Sequence, residues 1–133
     1  MTAGLSVPIS YGEAADKITI LEIKRDRITD PGKHANIEKE LELIARAFAT
    51  VESKADIRSA RARLKEVNRR LWDVEEAIRE HERNGDFGAA FVQLAREVYQ
   101  LNDRRARAKR TVDVLLDSPI REEKSYVDHD TVD

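Results

Sequence analysis

Residues 57–116 read IRSARARLKEVNRRLWDVEEAIREHERNGDFGAAFVQLAREVYQLNDRRARAKRTVDVLL, and this stretch decides the fold. Its first half places Ile57, Ala60, Leu64, Val67, Leu71, Val74 and Ile78 at alternating steps of three and four. Its second half repeats the stepping with Phe87, Phe91, Leu94, Val98, Leu101, Ala108, Val112 and Leu115, and sets Arg105 where an apolar residue should stand. Such stepping keeps one side of a helix against a partner. Between the halves, Asn84-Gly85-Asp86 is a stop signal. The spacing predicts a helix from Ile57 to about Arg83 and a second from about Phe87 to Leu116, ended by Ser118-Pro119. Each would be about 45 Å long. So short a connection forces an antiparallel hairpin.

Upstream, Ser10 followed by Glu13 is a capping-box pattern that starts a helix near Tyr11 and carries it to about Ile28. Its stripe is Ala14, Ile18, Leu21, Arg25 and Ile28, again with an arginine inside the seam. Asp30-Pro31-Gly32 reads as a turn. Another helix follows with Ile37, Leu41, Ile44, Phe48 and Val51, and the stripe from Ile57 is out of phase with it, so a break falls near Ser53. Residues 1–9 read as an extended arm. The expected architecture is all-α: an antiparallel helical bundle built on the long hairpin, with two shorter N-terminal helices packed along it. Residues 1–126 form one helical domain in this reading, and residues 127–133 a disordered tail.

Length and composition set the limits. A chain of 133 residues suits one domain. Charged residues make up 38% and aromatics 5%, the profile of long helices with solvated faces. There is no cysteine, which excludes disulfides, thiol catalysis and cysteine metal sites. No apolar stretch approaches membrane-spanning length and the start lacks the pattern of a secretion signal, so the expected compartment is the cytoplasm. No Gly-rich phosphate loop or Ser-His-Asp order is present, and His34, His81 and His129 lack a zinc-ligand spacing. Neither a cofactor nor a metal is called for.

Four strings stand out: PISYGEAADKITILEIKRDRI at 8–28, VNRRLWDVEEAIREHE at 67–82, FVQLAREVYQLNDRRARAKR at 91–110 and EEKSY at 122–126. Together they resemble an uncharacterised bacterial family known only as a domain of unknown function, over about Val7 to Tyr126. The resemblance implies a small helical protein, found alone or alongside proteins of cell-surface glycan synthesis. It implies no established activity. It puts emphasis on Lys17, Glu22, Lys24, Leu71-Trp72, Glu75, Asn102-Asp103-Arg104 and Glu123-Lys124, which fall in the characteristic strings.

The seam arginines direct the search for a site, because a buried guanidinium needs a carboxylate, a ligand or an opening to water. On the first helix, Lys17, Lys24 and Arg25 share a largely apolar surface. On the last, Asn102, Arg105 and Lys109 form a polar patch bracketed by apolar residues. Asn68, Trp72, Glu75 and Arg79 edge the facing helix, with Asn68 about level with Asn102. One reading of these groups is a network of buried pairs in which Glu75, Glu22 or Asp103 serves the arginines. Charge along the hairpin is uneven as well: residues 58–70 and 100–112 together carry a net +9, and residues 71–99 a net −4.

Three functions compete. A small anionic ligand, such as a phosphorylated sugar, nucleotide sugar or carboxylate, would be held by Lys17, Lys24, Arg25, Asn68, Trp72, Glu75, Asn102, Arg105 and Lys109. Alternatively the chain is a helical interaction or dimerisation module, with possible service to a glycan-assembly enzyme. Nucleic-acid binding through the basic end is the third, weakened by the lack of stacking aromatics there. No complete catalytic constellation exists, so no reaction is assigned. A homodimer is expected, because short first helices leave one hairpin face poorly covered.

Overall fold

The computed structural model describes residues 4–125, and within them four helices and no strand. These are α1 (Tyr11–Arg27), α2 (Pro31–Glu52), α3 (Arg58–Arg83) and α4 (Ala89–Leu115). The expected all-α class and the α3/α4 hairpin are both present, and α3 and α4 form the most extensive helix pair. The expectations for residues 127–133 lie outside the described residues.

Local chemistry explains each boundary. Ser10 accepts a hydrogen bond from the Glu13 backbone N–H at 3.1 Å, which caps α1. At Asp30-Pro31-Gly32 the expected turn is instead the start of α2. Asp30 accepts from the Lys33 N–H at 2.9 Å, and Pro31 stands at the first helical position, where its missing N–H costs nothing. The α3–α4 connection turns at Gly85, whose φ of +62° a side-chain-bearing residue rarely adopts. Helix α4 begins at Ala89 rather than Phe87, because Asp86 takes the Gly88 N–H at 3.2 Å and fixes the entry. Helix α2 is 22 residues long, close to the 26 of α3, so only α1 at 17 residues is short.

Helix α1 is the centre of the molecule. It packs on α2, α3 and α4, whereas the backbone of α2 approaches α1 alone. Its buried residues Gly12, Ala14, Ala15, Asp16, Ile18, Thr19, Leu21 and Ile23 therefore run most of the way round the helix. The main core joins Ala15, Ile18 and Leu21 of α1 to Phe48 of α2, Leu64 of α3 and Val112 of α4. Farther along the hairpin lies a smaller cluster of Val67, Val74 and Leu101, with Leu71, Ile78, Leu94 and Val98 partly buried around it.

The first turn of α1 is sealed against the end of α4. A Cβ on Gly12 would stand 2.2 Å from the Lys109 carbonyl oxygen, so only glycine permits this approach. The helix-start donors of Tyr11 and Gly12 are each taken: the Gly12 N–H donates to Asp113 at 2.6 Å and the Tyr11 N–H to Ser118 Oγ at 3.1 Å.

Candidate functional site

Arg105 finds its anion on α1. Asp16, fully buried at 0% exposure, accepts from Arg105 Nε at 2.9 Å and from Nη2 at 2.5 Å. The same carboxylate accepts from Asn68 Nδ2 at 2.9 Å, and Asn68 also donates to Thr19 Oγ1 at 2.9 Å. The Thr19 hydroxyl donates to the Asp16 carbonyl at 2.8 Å. One residue from each hairpin helix is thus tied to two from α1, and no buried side-chain polar atom among the described residues lacks a partner. The bond to Asp16 raises the already high Arg105 pKa, against the opposing effect of burial.

Asp16 was absent from the sequence reading, which named Glu75, Glu22 and Asp103 as the possible partners. Glu22 instead lies 3.2 Å from Lys65 and 3.5 Å from Arg61, and Glu75 bonds Arg79 at 2.6 Å. One signal for Asp16 was available: Gly12, Asp16, Thr19 and Ile23 repeat at four, three and four, a second stripe of small, polar and apolar residues beside the one already read.

Arg105 is not sealed by this pairing. Its side chain keeps 30% exposure and lines a cleft of about 560 Å³ at the level where α1 ceases to cover the hairpin. Asn68, Trp72, Glu75 and Asn102 line the same cleft with Arg105, and Ile20, Leu71, Glu76 and Arg79 complete it. Five of the nine residues singled out in the sequence therefore share one opening. Trp72 and Leu71 give it an apolar wall, and the Arg27 guanidinium sits 5.7 Å from the Trp72 ring centroid.

The other four lie elsewhere. Lys17 is exposed on α1, and Lys24 is half-buried. Arg25 stands 3.9 Å from Glu38 of α2 and 3.7 Å from its neighbour Asp26. Lys109 is buried, bonded to Glu13 at 2.5 Å and to both oxygens of Glu122 at 3.2 Å. Burial alone would lower the Lys109 pKa, but the two carboxylates outweigh it and hold the ammonium above its ordinary value. Beside it, burial pushes the Asp113 carboxyl up, offset in part by the Gly12 N–H.

The basic end of the hairpin is largely neutralised from within. Besides the pairs above, Arg61 bonds Glu52 at 2.8 Å, Arg70 binds both oxygens of Glu97, and Arg110 reaches Glu123 at 3.3 Å. Most of the acids come from α1 and from the segment after α4. Among the described residues no group of histidines and carboxylates is arranged to hold a metal ion. No helix among them is long and apolar enough to cross a membrane.

A family model matches residues 5–131, nearly the whole chain. The chain belongs to the Family of unknown function (DUF6165). No curated protein and no solved structure matches it. Membership of this family agrees with the uncharacterised family read from the four strings and carries no activity, so the function has to be argued from the cleft.

Proposed function

We propose that the cleft binds a small hydroxyl-rich carboxylate, with a sugar acid as the representative ligand. The observation that carries this reading is the bidentate hold of Asp16 on Arg105. It occupies one edge of the guanidinium and fixes its orientation, which leaves the remaining N–H donors for the cleft that Arg105 lines. A donor fixed in advance loses little side-chain freedom on binding. Asn68 and Asn102 supply neutral hydrogen-bonding groups, and Leu71 and Trp72 an apolar wall for a ring.

Charge decides between the anions considered. Arg79 and Arg105 face Asp16, Glu75 and Glu76, so the surroundings are slightly negative even before a ligand enters. A dianionic phosphate ester meets more repulsion there than a single carboxylate, and Glu75 and Glu76 are suited to accept from sugar hydroxyls. The setting that the family resemblance implies, cell-surface glycan synthesis, would supply such ligands. No reaction is part of the proposal.

Calorimetric titration of the protein with glucuronate, glucose 1-phosphate and glucose tests it. Glucuronate should saturate and outcompete the other two, and Asn102→Ala and Trp72→Ala should weaken it while the melting curve stays close to the original. Both positions lie outside the buried Asp16 network, so they read the cleft rather than the fold. An absence of saturable heat from glucuronate at about 10 mM, or a preference for the phosphate ester, would overturn the proposal.

A second reading, the interaction module, draws on the far half of the hairpin, where Phe87, Val92 and Tyr99 are exposed. Light scattering coupled to size exclusion decides whether the chain forms the homodimer that this reading expects. The nucleic-acid reading has less support, because carboxylates of the chain itself already engage most of the basic end.

A further inference from the structure

The register of the hairpin sets up a second, separate constellation. Arg70 on α3 and Glu97 on α4 bridge one flank at 2.6 and 2.9 Å. In an antiparallel helix pair, seven residues back on one helix and seven forward on the other return to the same flank and to facing positions. Applied to that bridge, the step brings Arg63 opposite Arg104. Arg107 follows Arg104 by three residues, hence on the same side of α4 one turn along. Two guanidiniums with a third beside them thus occupy positions where the next heptad places an ion pair.

Most arginines of the hairpin are held by carboxylates of the chain. Arg58, Arg61, Arg69, Arg70, Arg79, Arg83, Arg105 and Arg110 of the hairpin each reach a carboxylate. Arg63, Arg104 and Arg107 are exposed. Two nearby acids are engaged by other arginines. Glu97 is claimed by Arg70, which with a smaller contribution from Arg104 holds its carboxyl below the usual range. Glu66 lies 3.7 Å from Arg69.

We propose that Arg63, Arg104 and Arg107 form a binding site for a phosphate group on the flank of the hairpin that carries the Arg70–Glu97 bridge. A phosphate monoester brings two charges and several acceptor oxygens, enough to engage planar N–H forks from two helices at once. A lone carboxylate, with one charge and two oxygens, satisfies this constellation less fully. The site is independent of the cleft proposed above, shares no residue with it and takes the opposite preference among anions.

The test compares inorganic phosphate, glycerol 3-phosphate and a generic DNA duplex against chloride at matched ionic strength. It follows the arginine Nε–Hε signals by NMR and the melting temperature. Phosphate and glycerol 3-phosphate should shift the Arg63 and Arg104 signals saturably and raise the melting temperature. Arg63→Gln and Arg104→Gln should each weaken that binding by about tenfold. Glutamine is nearly as good a helix former as arginine, so the variants keep the helix. With a like charge removed, they should melt no lower than the parent in chloride. Unchanged phosphate affinity in both variants, or a phosphate response equal to that of chloride, overturns the proposal. Duplex binding that falls steeply with salt, without any response to glycerol 3-phosphate, overturns it in favour of a polynucleotide backbone.

Discussion

The two halves of the α3/α4 hairpin share one hydrophobic stepping and differ in everything built on it. In the half near Leu64 and Val112, α1 lies against both helices, and Leu64, Ala108 and Val112 are at most 1% exposed. In the half toward Gly85 only the two helices meet. There Leu94, Val98 and Ile78 are partly buried, while Phe87, Val92 and Tyr99 stand in solvent. Periodicity therefore selects which side chains face a partner, and a third helix widens the set that leaves water: without it Val74 is buried, at 1% exposure, but Leu94, Val98 and Ile78 only in part. The polar residues follow the same division. Asn68 and Arg105 meet Asp16 where α1 is present, and Glu75, Glu76 and Asn102 line an open cleft where it stops.

The most damaging break is at Asp16. Asp16→Ala strands the Arg105 guanidinium and the Asn68 amide against the core, and it should cost about 4–5 kcal/mol in chemical denaturation. Amide exchange should accelerate in α1 and in the adjoining parts of α3 and α4 more than around Val74 and Val98. The double variant Asp16→Leu with Arg105→Met should recover much of the loss, because a buried ion pair can often be replaced by apolar contact. A double variant as unstable as Asp16→Ala would mean that the network is needed for shape as well as charge.

Next come paired truncations in the two halves. Leu64→Ala, at a fully buried position, should cost roughly 3–4 kcal/mol, and Leu94→Ala, half-wet and free to relax, about 1–2 kcal/mol. Equal losses in urea titrations would show that the far half is covered in solution, as a second copy of the chain would cover it.

The smallest effect is on the pH dependence. The folded-state pKa of Lys109 is raised by Glu13 and Glu122, so its contribution to stability is complete below 10.5, its ordinary value, and is lost as pH rises through the folded value. Asp113 runs the other way from an ordinary paired aspartate. Its folded pKa is also raised, so the folded protein holds that proton more tightly, and its contribution is full below 3.8 and fades as pH climbs through the folded value. Asp113→Asn should remove this second component and leave neutral-pH stability little changed, since the amide oxygen can still accept from Gly12. A large loss at neutral pH would show that the charge itself holds the start of α1.

Much of the fold was legible because it rests on local signals. Ser10, Asp30 and Gly85 punctuate the chain through bonds or dihedral angles confined to a few residues, and helix ends fell within two positions of expectation. The stripe that includes Arg105 also identified a residue with an unusual burden. What stayed hidden was which anion answers it. Asp16 lies 89 residues away on a helix read as one-sided, and only the packing of three helices shows that α1 is buried nearly all round. Likewise, Asn68, Trp72, Glu75 and Asn102 could be placed near one level of the hairpin, but their common opening depends on where α1 ends. Lys109 shows the converse: its seam-edge position suggested a ligand, and two carboxylates of the chain fill that role.

The seal at Gly12 also bears on the order of assembly. The bonds from Tyr11 and Gly12 to Ser118 and Asp113 close loops of 107 and 101 residues, while the Arg70–Glu97 bridge spans 27. Loop-closure entropy therefore favours early zipping of the hairpin and late docking of α1, carrying α2 with it. Residues 10 and 118 also end side by side, so a short peptide joining these neighbourhoods, with new termini opened between α2 and α3, would turn the slowest contact into a local one. In that permutant α1 would follow α4 directly, and refolding should speed up with little change in the final structure.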